Sequence, residues 1–147
     1  MADVFLAARA AAMPNLPDLH APEETRAWIR DVVLRGQDVH VAEVDGAVGG
    51  FLALGAGTVE HLYVRPELQG RGIGSALLDV AKALRGDGFR LWVFQRNAGA
   101  RRFYERHGLD LVELTDGAAN EEREPDALYE WRPLSPARPG RPSRGAP

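Results

Sequence analysis

Residues 64–78 read VRPELQGRGIGSALL, and this stretch decides the fold. An apolar strand ending at Val64 is predicted to run through a glycine-rich turn directly into an amphipathic helix. The amide N–H groups in the first turn of a helix have no intrahelical partner, and the helix dipole adds partial positive charge there. Gly70, Gly72 and Gly74 permit a tight turn and a close approach of the main chain to a ligand. The pattern therefore predicts an anion site, best suited to phosphate, that is made largely of backbone donors.

Two better-known phosphate loops fit this stretch badly. A Walker loop ends in Gly-Lys-Ser/Thr, whereas this run ends in Gly-Ile-Gly-Ser without a lysine. The dinucleotide fingerprint expects a third glycine where Ser75 stands. Arg71 can add a guanidinium at the rim of the site. A helix that simply begins with convenient glycines is the alternative interpretation.

Two separate motifs point to one family. The first is Gln69-x-x-Gly72-x-Gly74, and the second is NAGARRFYERHGL at residues 97–109. They resemble the acyl-CoA-binding motif and the Asn-x-x-Ala-x-x-x-Tyr-x-x-x-Gly-Phe segment of the GCN5-related N-acetyltransferase (GNAT) superfamily, with leucine for the final phenylalanine. The resemblance covers roughly residues 1–132. It implies a mixed α/β (α+β) domain with a single central, mostly antiparallel sheet, flanked by helices and splayed at the acyl-CoA site.

The two ends of the chain depart from that pattern. GNAT domains normally begin with a strand, but this sequence starts almost directly in a helix, so the first strand is expected to be missing. Residues 133–147 are rich in proline, arginine and glycine and too poor in apolar residues to be buried. We expect them to form a disordered tail after a GNAT acetyltransferase domain at 1–132.

Hydrophobic periodicity divides the rest of the chain into helices and strands. Asp3 is expected to cap a first helix, and a second helix begins near Pro22 and ends at Gly36. The apolar stripe of the second helix comprises Trp28, Ile29, Val32 and Val33. The helix after the glycine turn should bury Ile73, Ala76, Leu77, Val80, Ala81 and Leu84. Another helix is predicted at 98–107. Strands are predicted at 39–44, 48–54, 58–64, 90–94, 109–114 and 126–131.

The resemblance implies transfer of an acetyl group from acetyl-CoA to an amine. A primary ammonium, with a pKa of ~10, has no free lone pair and must lose a proton before it attacks. Glu60 is the candidate base, because strand alternation places it on the face of Leu62 and Val64 and the family's proton acceptor often occupies this position. A solvated strand carboxylate is the alternative for Glu60. His61 should point to the opposite face unless a bulge re-aims it.

Tyr104 corresponds to the family's usual general acid. It follows Asn97 by seven residues, two helical turns, so both side chains can face the cofactor. A phenol with a pKa of ~10 can protonate a departing thiolate without being ionised itself at neutral pH. Core packing is the alternative for Tyr104, and it is the expected role of Phe103.

The same resemblance gives the cofactor-binding residues. They are Leu62, Val64, Gln69, Gly70, Arg71, Gly72, Ile73, Gly74, Ser75, Asn97 and Arg101. A backbone N–H between Leu62 and Val64 is expected to stabilise the tetrahedral oxyanion, and the same strand should contact pantetheine. Asn97 either hydrogen-bonds the pantetheine arm or caps its helix. Arg101 either reaches phosphate or adenine or is an ordinary exposed helix arginine.

Composition limits the other possibilities. The 147 residues include no cysteine, which excludes disulfides, cysteine-ligated metals and a thiol nucleophile. Direct attack in a ternary complex is therefore the simplest mechanism, and no metal is expected. The net charge of −3 makes nucleic acid an unlikely main partner, and the three tail arginines are sparse. The sequence has no run of membrane-spanning length and no secretion signal, so a cytoplasmic protein is expected.

The acceptor is expected to be an amine of a small molecule or a peptide. Residues 116–126 carry five carboxylates and one arginine, so this segment either attracts a cationic amine or is simply a solvated acidic loop. His20 lies in the segment that tends to line the acceptor side in the family, although a lone loop histidine is more often ordinary surface. The alternative function is a non-catalytic acyl-CoA-binding module, and a homodimer is suggested by analogy only.

Overall fold

The computed structural model describes residues 1–134. The predicted tail therefore lies almost entirely outside the described residues. The helices are α1 (Ala2–Ala12), α2 (Pro22–Trp28), α3 (Leu34–Gly36), α4 (Ile73–Leu84) and α5 (Ala98–Arg106). The strands are β1 (Asp38–Val44), β2 (Ala47–Leu54), β3 (Val59–Val64), β4 (Phe89–Phe94), β5 (Asp110–Leu114) and β6 (Asp126–Trp131). A π-helical turn, Ile29–Val33, joins α2 to α3, and a 3₁₀ turn, Pro66–Leu68, precedes the glycine turn.

The strands form two three-stranded antiparallel sheets, which are joined edge to edge by a single bridge. Their orders are β1-β2-β3 and β4-β6-β5. The parallel neighbours β3 and β4 are joined only at the bridge between Thr58 and Arg90, where the Arg90 amide donates to the Gly57 carbonyl at 3.0 Å. Beyond this bridge the two strands separate. The expected mixed α/β fold, with antiparallel strands flanked by helices and a splay, is confirmed.

Separate hydrogen bonds hold the C-terminal ends of β3 and β4. At the end of β4, the Gln95 amide donates to the Pro125 carbonyl at 2.9 Å, and the Gln95 side chain donates to the carbonyls of Thr115 and Asp126. At the end of β3, the Gln69 side chain donates to the Val64 carbonyl at 3.3 Å. Each strand end is thus bonded to its own neighbours rather than to the other strand.

The hairpin of β1 and β2 follows its sequence pattern closely. Asp45 and Gly46, with φ of 52° and 79°, occupy the turn. Positive φ at both central residues is the requirement of a type I′ turn, whose twist matches that of the flanking strands. The predicted hairpin is confirmed.

β2 separates two hydrophobic clusters. Phe51 and Ala53 face a cluster built with α1 and the α2–α3 region, whereas Leu52 and Leu54 face a cluster built with α4. All four side chains are at most 1% exposed, because both faces of β2 are covered. Because successive side chains of β2 point to opposite faces of the sheet, the strand packs against helices on both sides.

The buried face of α4 differs from the predicted one. Ala76 and Leu84 are exposed, and Leu78 is fully buried beside Leu77 and Ala81. Gly50 explains how closely this face approaches the sheet, because a Cβ built there would lie 3.2 Å from both Ile73 and Leu77. Without a side chain at this position of β2, the helix packs directly on the strand.

Two details at the N-terminal helices were also predicted incorrectly. Val32 is 52% exposed, because the π-helical turn inserts an additional residue and shifts the apolar stripe of α2. Asp3 lies inside the first turn of α1 rather than at its cap, and its carboxylate pairs with Arg26 at 2.9 Å. In the described part of the chain, α1 comes first and no strand lies before it.

The close approach at Gly50 gives a stability prediction. Gly50→Ala should lower the free energy of unfolding by about 1–3 kcal/mol, since the new Cβ would lie 3.0 Å from the Tyr63 carbonyl, a backbone atom that cannot rotate away. Urea denaturation measures the change. Gly36→Ala is the control, because nothing lies within 4 Å of its Cβ. Equal unfolding free energies for the two variants would contradict this packing argument.

Candidate active site

A cavity of about 1670 Å³ occupies the gap between β3 and β4. It extends from the glycine turn, past the C-terminal ends of the two strands, to α1 and the β5–β6 connection. The predicted site residues that line it are Glu60, Leu62, Val64, Gln69, Gly70, Gly72, Gly74, Ser75, Asn97 and Tyr104. The structure therefore brings most of the two sequence motifs to one cavity.

One end of the cavity carries unpaired main-chain donors. Gly70 and Gly72 adopt φ of 80° and 83°, and Gly72 caps α4 in the left-handed conformation. The first hydrogen bond of the helix runs from the Ala76 amide to the Gly72 carbonyl at 3.0 Å. The amides of Ile73, Gly74 and Ser75 consequently have no backbone partner within residues 1–134. The cavity is lined here by Gly70, Gly72, Gly74 and Ser75, so the donors are accessible.

The edge of β3 adds further donors along the wall. The Arg65 amide donates to the Gly49 carbonyl of β2 at 2.8 Å, so the main-chain groups of Leu62 and Val64, by alternation, face away from β2. They point toward the gap that opens where β4 diverges from β3 beyond the bridge at Thr58. The edge therefore offers amides to an extended ligand in the cavity.

Tyr104 lies on the opposite wall, on α5. It is 8% exposed and lines the cavity. Burial raises the pKa of Tyr104 above its ordinary value, and the neighbouring Tyr63 adds to the effect. The phenol is therefore neutral at pH 7 and available as a proton donor. Asn97 caps α5, since its Oδ1 accepts from the Ala100 amide at 3.2 Å, and the same residue lines the cavity.

Glu60 occupies a bulge in β3. Val59 pairs with Leu54 and His61 pairs with Ala53, which leaves Glu60 as the extra residue. Its exposed carboxylate accepts a hydrogen bond from the Thr58 hydroxyl at 2.6 Å. The Thr58 hydroxyl thus holds one carboxylate oxygen of Glu60, and Glu60 lies at the cavity wall.

His61, the neighbour of Glu60, is an unsuitable base. Its ring lies among aromatic side chains, 5.1 Å from Trp28 and 6.0 Å from Phe5 between ring centroids. Burial lowers the pKa of His61 to about 4, with a smaller lowering from Arg9 and an opposing effect from Glu60. At pH 7 the imidazole is neutral and only weakly basic.

Two arginines among the predicted cofactor residues do not reach the cavity wall. The Arg101 Nε donates to the Tyr129 hydroxyl at 3.0 Å, and this hydroxyl donates to Glu105. Arg101 is therefore directed toward β6 in this structure, and its contact with phosphate or adenine stays a prediction. Arg71 is exposed on the glycine turn and does not line the cavity.

The β5–β6 connection is attached to three parts of the cavity wall, which sequence reasoning missed. Glu122 pairs with Arg9 of α1, and Glu124 pairs with Arg96 after β4. Glu121 accepts from His20 Nε2 at 2.6 Å. The acidic segment does border the cavity, but two of these carboxylates are already paired with arginines and the third is hydrogen-bonded to His20. No sequence pattern links such partners, because two of the pairs join residues more than a hundred positions apart.

His20 joins this connection to the start of α2. Its Nδ1 lies 3.2 Å from Glu24, and its Nε2 lies close to Glu121. Carboxylates only accept hydrogen bonds, so both ring nitrogens are best occupied by protons. The hydrogen bonds to Glu24 and then Glu121 raise the pKa of His20 above its usual value.

Comparison with known proteins agrees with this geometry. A family model described as an acetyltransferase (GNAT) domain matches residues 35–108. An uncharacterized N-acetyltransferase of Archaeoglobus fulgidus is 32% identical over 102 residues, which cover 58% of this chain and 69% of the relative. An uncharacterized N-acetyltransferase of Methanocaldococcus jannaschii, MJ1207, is 34% identical over 108 residues, 63% of this chain and 48% of that relative.

Solved structures share the fold. The solution structure of apo-form YjaB from Escherichia coli has a TM-score of 0.71 at 19% identity, covering 91% of this chain and 90% of its own. A PaiA N-acetyltransferase from Thermoplasma acidophilum, solved in complex with coenzyme A, has a TM-score of 0.61 at 20% identity and covers 89% of each chain. At these identities the likeness concerns the fold alone.

A splayed sheet with a donor-rich helix start beside a buried tyrosine defines an acyl-CoA-dependent acetyltransferase. This chain belongs to the GNAT acetyltransferase family. Within residues 1–134, no helix is both long and apolar enough to cross a membrane. Among the described residues, no three or more His, Asp or Glu side chains are arranged so that they could hold a metal ion.

The His20 contact gives a pH prediction. Because the pKa is raised on folding, the contact stabilises the connection fully below pH ~6.5 and loses this effect as pH rises through the folded pKa. Hydrogen-exchange protection of the Asn120, Arg123 and Glu124 amides, corrected for intrinsic rates, should fall a few-fold between pH 6 and pH 8. His20→Gln should abolish this fall, and His40→Gln, on β1, should retain it. An undiminished fall in His20→Gln would contradict the prediction.

Proposed function

We propose that this chain transfers an acetyl group from acetyl-CoA to an amine of a small molecule or a peptide, by direct attack in a ternary complex. The observation that carries the proposal is that residues with open amides of α4, and Tyr104, line one cavity. Its shape suits a long ligand that is anionic at one end. The absence of cysteine from the sequence supports direct attack over an acetylated thiol intermediate.

The residues present fit acetyl-CoA, which would supply an activated thioester. The amides of Gly72 to Ser75 would hold its diphosphate, because donors and helix dipole favour anions there. Gly70 and the exposed Arg71 border the same place, and Ile73 contributes its main-chain amide while its side chain packs on the core. The edge of Leu62 and Val64 would bind the pantetheine arm and the thioester oxygen. Gln69 keeps that edge joined to the turn.

Two side chains would move protons. Glu60 accepts a proton from the acceptor ammonium, directly or through water, so that the amine can attack. Tyr104 donates its hydroxyl proton toward the departing sulfur. A phenol is already protonated at pH 7, and because burial raises the pKa of Tyr104 it is a weaker acid than a free phenol, so its first contribution is a hydrogen bond to the developing negative charge.

Tyr104→Phe tests the catalytic assignment. It should lower kcat by about a hundredfold in a thiol-release assay with an amine panel, with little change in the affinity for acetyl-CoA, because only the proton donor is lost. Tyr129→Phe is the matched control: its hydroxyl bonds Glu105 and Arg101 away from the cavity, so stability rather than kcat should change. If the chain is instead a non-catalytic acyl-CoA-binding module, wild type and Tyr104→Phe will both bind acetyl-CoA and neither will release thiol.

Glu60→Gln tests the base. The rate should fall by about ten- to a hundredfold at pH 7 and approach that of the wild type near the pKa of the amine, where the acceptor loses its proton unaided. Thr58→Val is the control, since it removes the hydrogen bond to Glu60 and keeps the carboxylate. A loss that is the same at every pH would assign Glu60 a structural role.

A further inference from the structure

His107 connects the end of α5 to the first turn of α4. Its Nε2 lies 2.8 Å from the Ser75 Oγ, and its Nδ1 lies 2.8 Å from the Phe103 carbonyl oxygen. The two helices pack against each other here, since a Cβ built at Gly74 would lie in van der Waals contact, 3.4 Å, with the Phe103 ring. Both His107 and Ser75 line the cavity.

These contacts fix the direction of the hydrogen bonds. A carbonyl oxygen only accepts, so Nδ1 carries a proton. In a neutral ring Nε2 is then an acceptor, and Ser75 must donate its only hydroxyl proton to it. The Ser75 Oγ consequently offers lone pairs to the cavity, which is unfavourable beside a bound anion.

If the His107 ring is protonated, the hydrogen bond between Nε2 and the Ser75 Oγ reverses its direction, and no heavy atom has to move. Nε2–H donates to the Ser75 Oγ, and the hydroxyl proton becomes free to point at an anion at the start of α4. The Lys82 ammonium donates to the His107 carbonyl at 2.6 Å, and Arg106, the last residue of α5, precedes His107. A diphosphate bound at the start of α4 would favour the protonated ring over the neutral one.

We propose that His107 is a positioning residue that sets the direction of the Ser75 hydroxyl, and that diphosphate binding takes up one proton from solvent onto His107 Nε2. The inference rests on the proposed function, because it requires a diphosphate at the start of α4. It assigns His107 a role in cofactor binding and gives Ser75 a side-chain contact in addition to its amide.

Calorimetry with dephospho-CoA measures this coupling. This probe carries the diphosphate but no 3′-phosphate, whose own ionisation near pH 6 would add protons to the count. Titrations at pH 7 in buffers of different ionisation enthalpy should give a fractional proton uptake for the wild type, and its Kd should fall several-fold from pH 8 to pH 6. His107→Gln should show neither effect. Its KM for acetyl-CoA should rise several-fold with kcat retained.

Ser75→Ala and His40→Gln complete the test. Ser75→Ala keeps the histidine and should lose most of the proton uptake; full uptake in this variant would show that His107 does not act through Ser75 and would overturn the inference. If His107→Gln fails to fold, Ser75→Ala still tests the inference. His40→Gln, whose histidine lies on β1 away from the cavity, should behave as wild type.

The failure of the two proposals can be distinguished. Binding of dephospho-CoA by the wild type without proton uptake would overturn the role of His107 and leave the proposed function intact. No binding at all would overturn both.

Discussion

Two neighbouring strands that stop pairing leave main-chain donors and acceptors without partners, and the rest of the molecule depends on this constraint. β3 and β4 share only the bridge at Thr58. Buried main-chain groups normally find partners, so an open edge between two central strands is costly unless a ligand or solvent satisfies it. Here the end of each strand is bonded to its own side, through Gln69 and Gln95. The gap is therefore held open by specific contacts, and its unpaired amides form the surface on which we propose that the cofactor binds.

Elements with a local cause were predictable from the sequence. The turn at Asp45-Gly46 requires positive φ at two positions, and the glycines before α4 have the same requirement, so their residue types specify the backbone directly. Interactions that depend on packing between distant segments were not predictable. The buried face of α4 depends on its packing against another element, where Gly50 lets Ile73 and Leu77 come close to β2, and the exposure of Val32 follows from a π-helical turn that periodicity does not reveal.

The candidate site divides in the same way. Residues within the two motifs meet at one cavity because strand alternation and helical spacing fix which way they face. Arg101 is the exception: it lies on α5 within the second motif, but its guanidinium finds the Tyr129 hydroxyl of β6, a partner that local spacing does not indicate. The contacts of Ser75 were missed for the same reason, since His107 lies thirty-two residues further along the chain.

The acidic β5–β6 connection shows why composition alone misjudges a binding surface. Counted in the sequence, its carboxylates suggest a field that attracts a cationic amine. In the structure, Glu122 and Glu124 each face an arginine from a different element, and Glu121 is hydrogen-bonded to His20. The field of a paired carboxylate falls off as that of a dipole, so their long-range attraction is reduced, and their main effect is to hold the connection against the wall. We therefore expect recognition of the proposed acceptor to depend more on the shape of the cavity beside α1 and on Glu60 than on the charge of the connection.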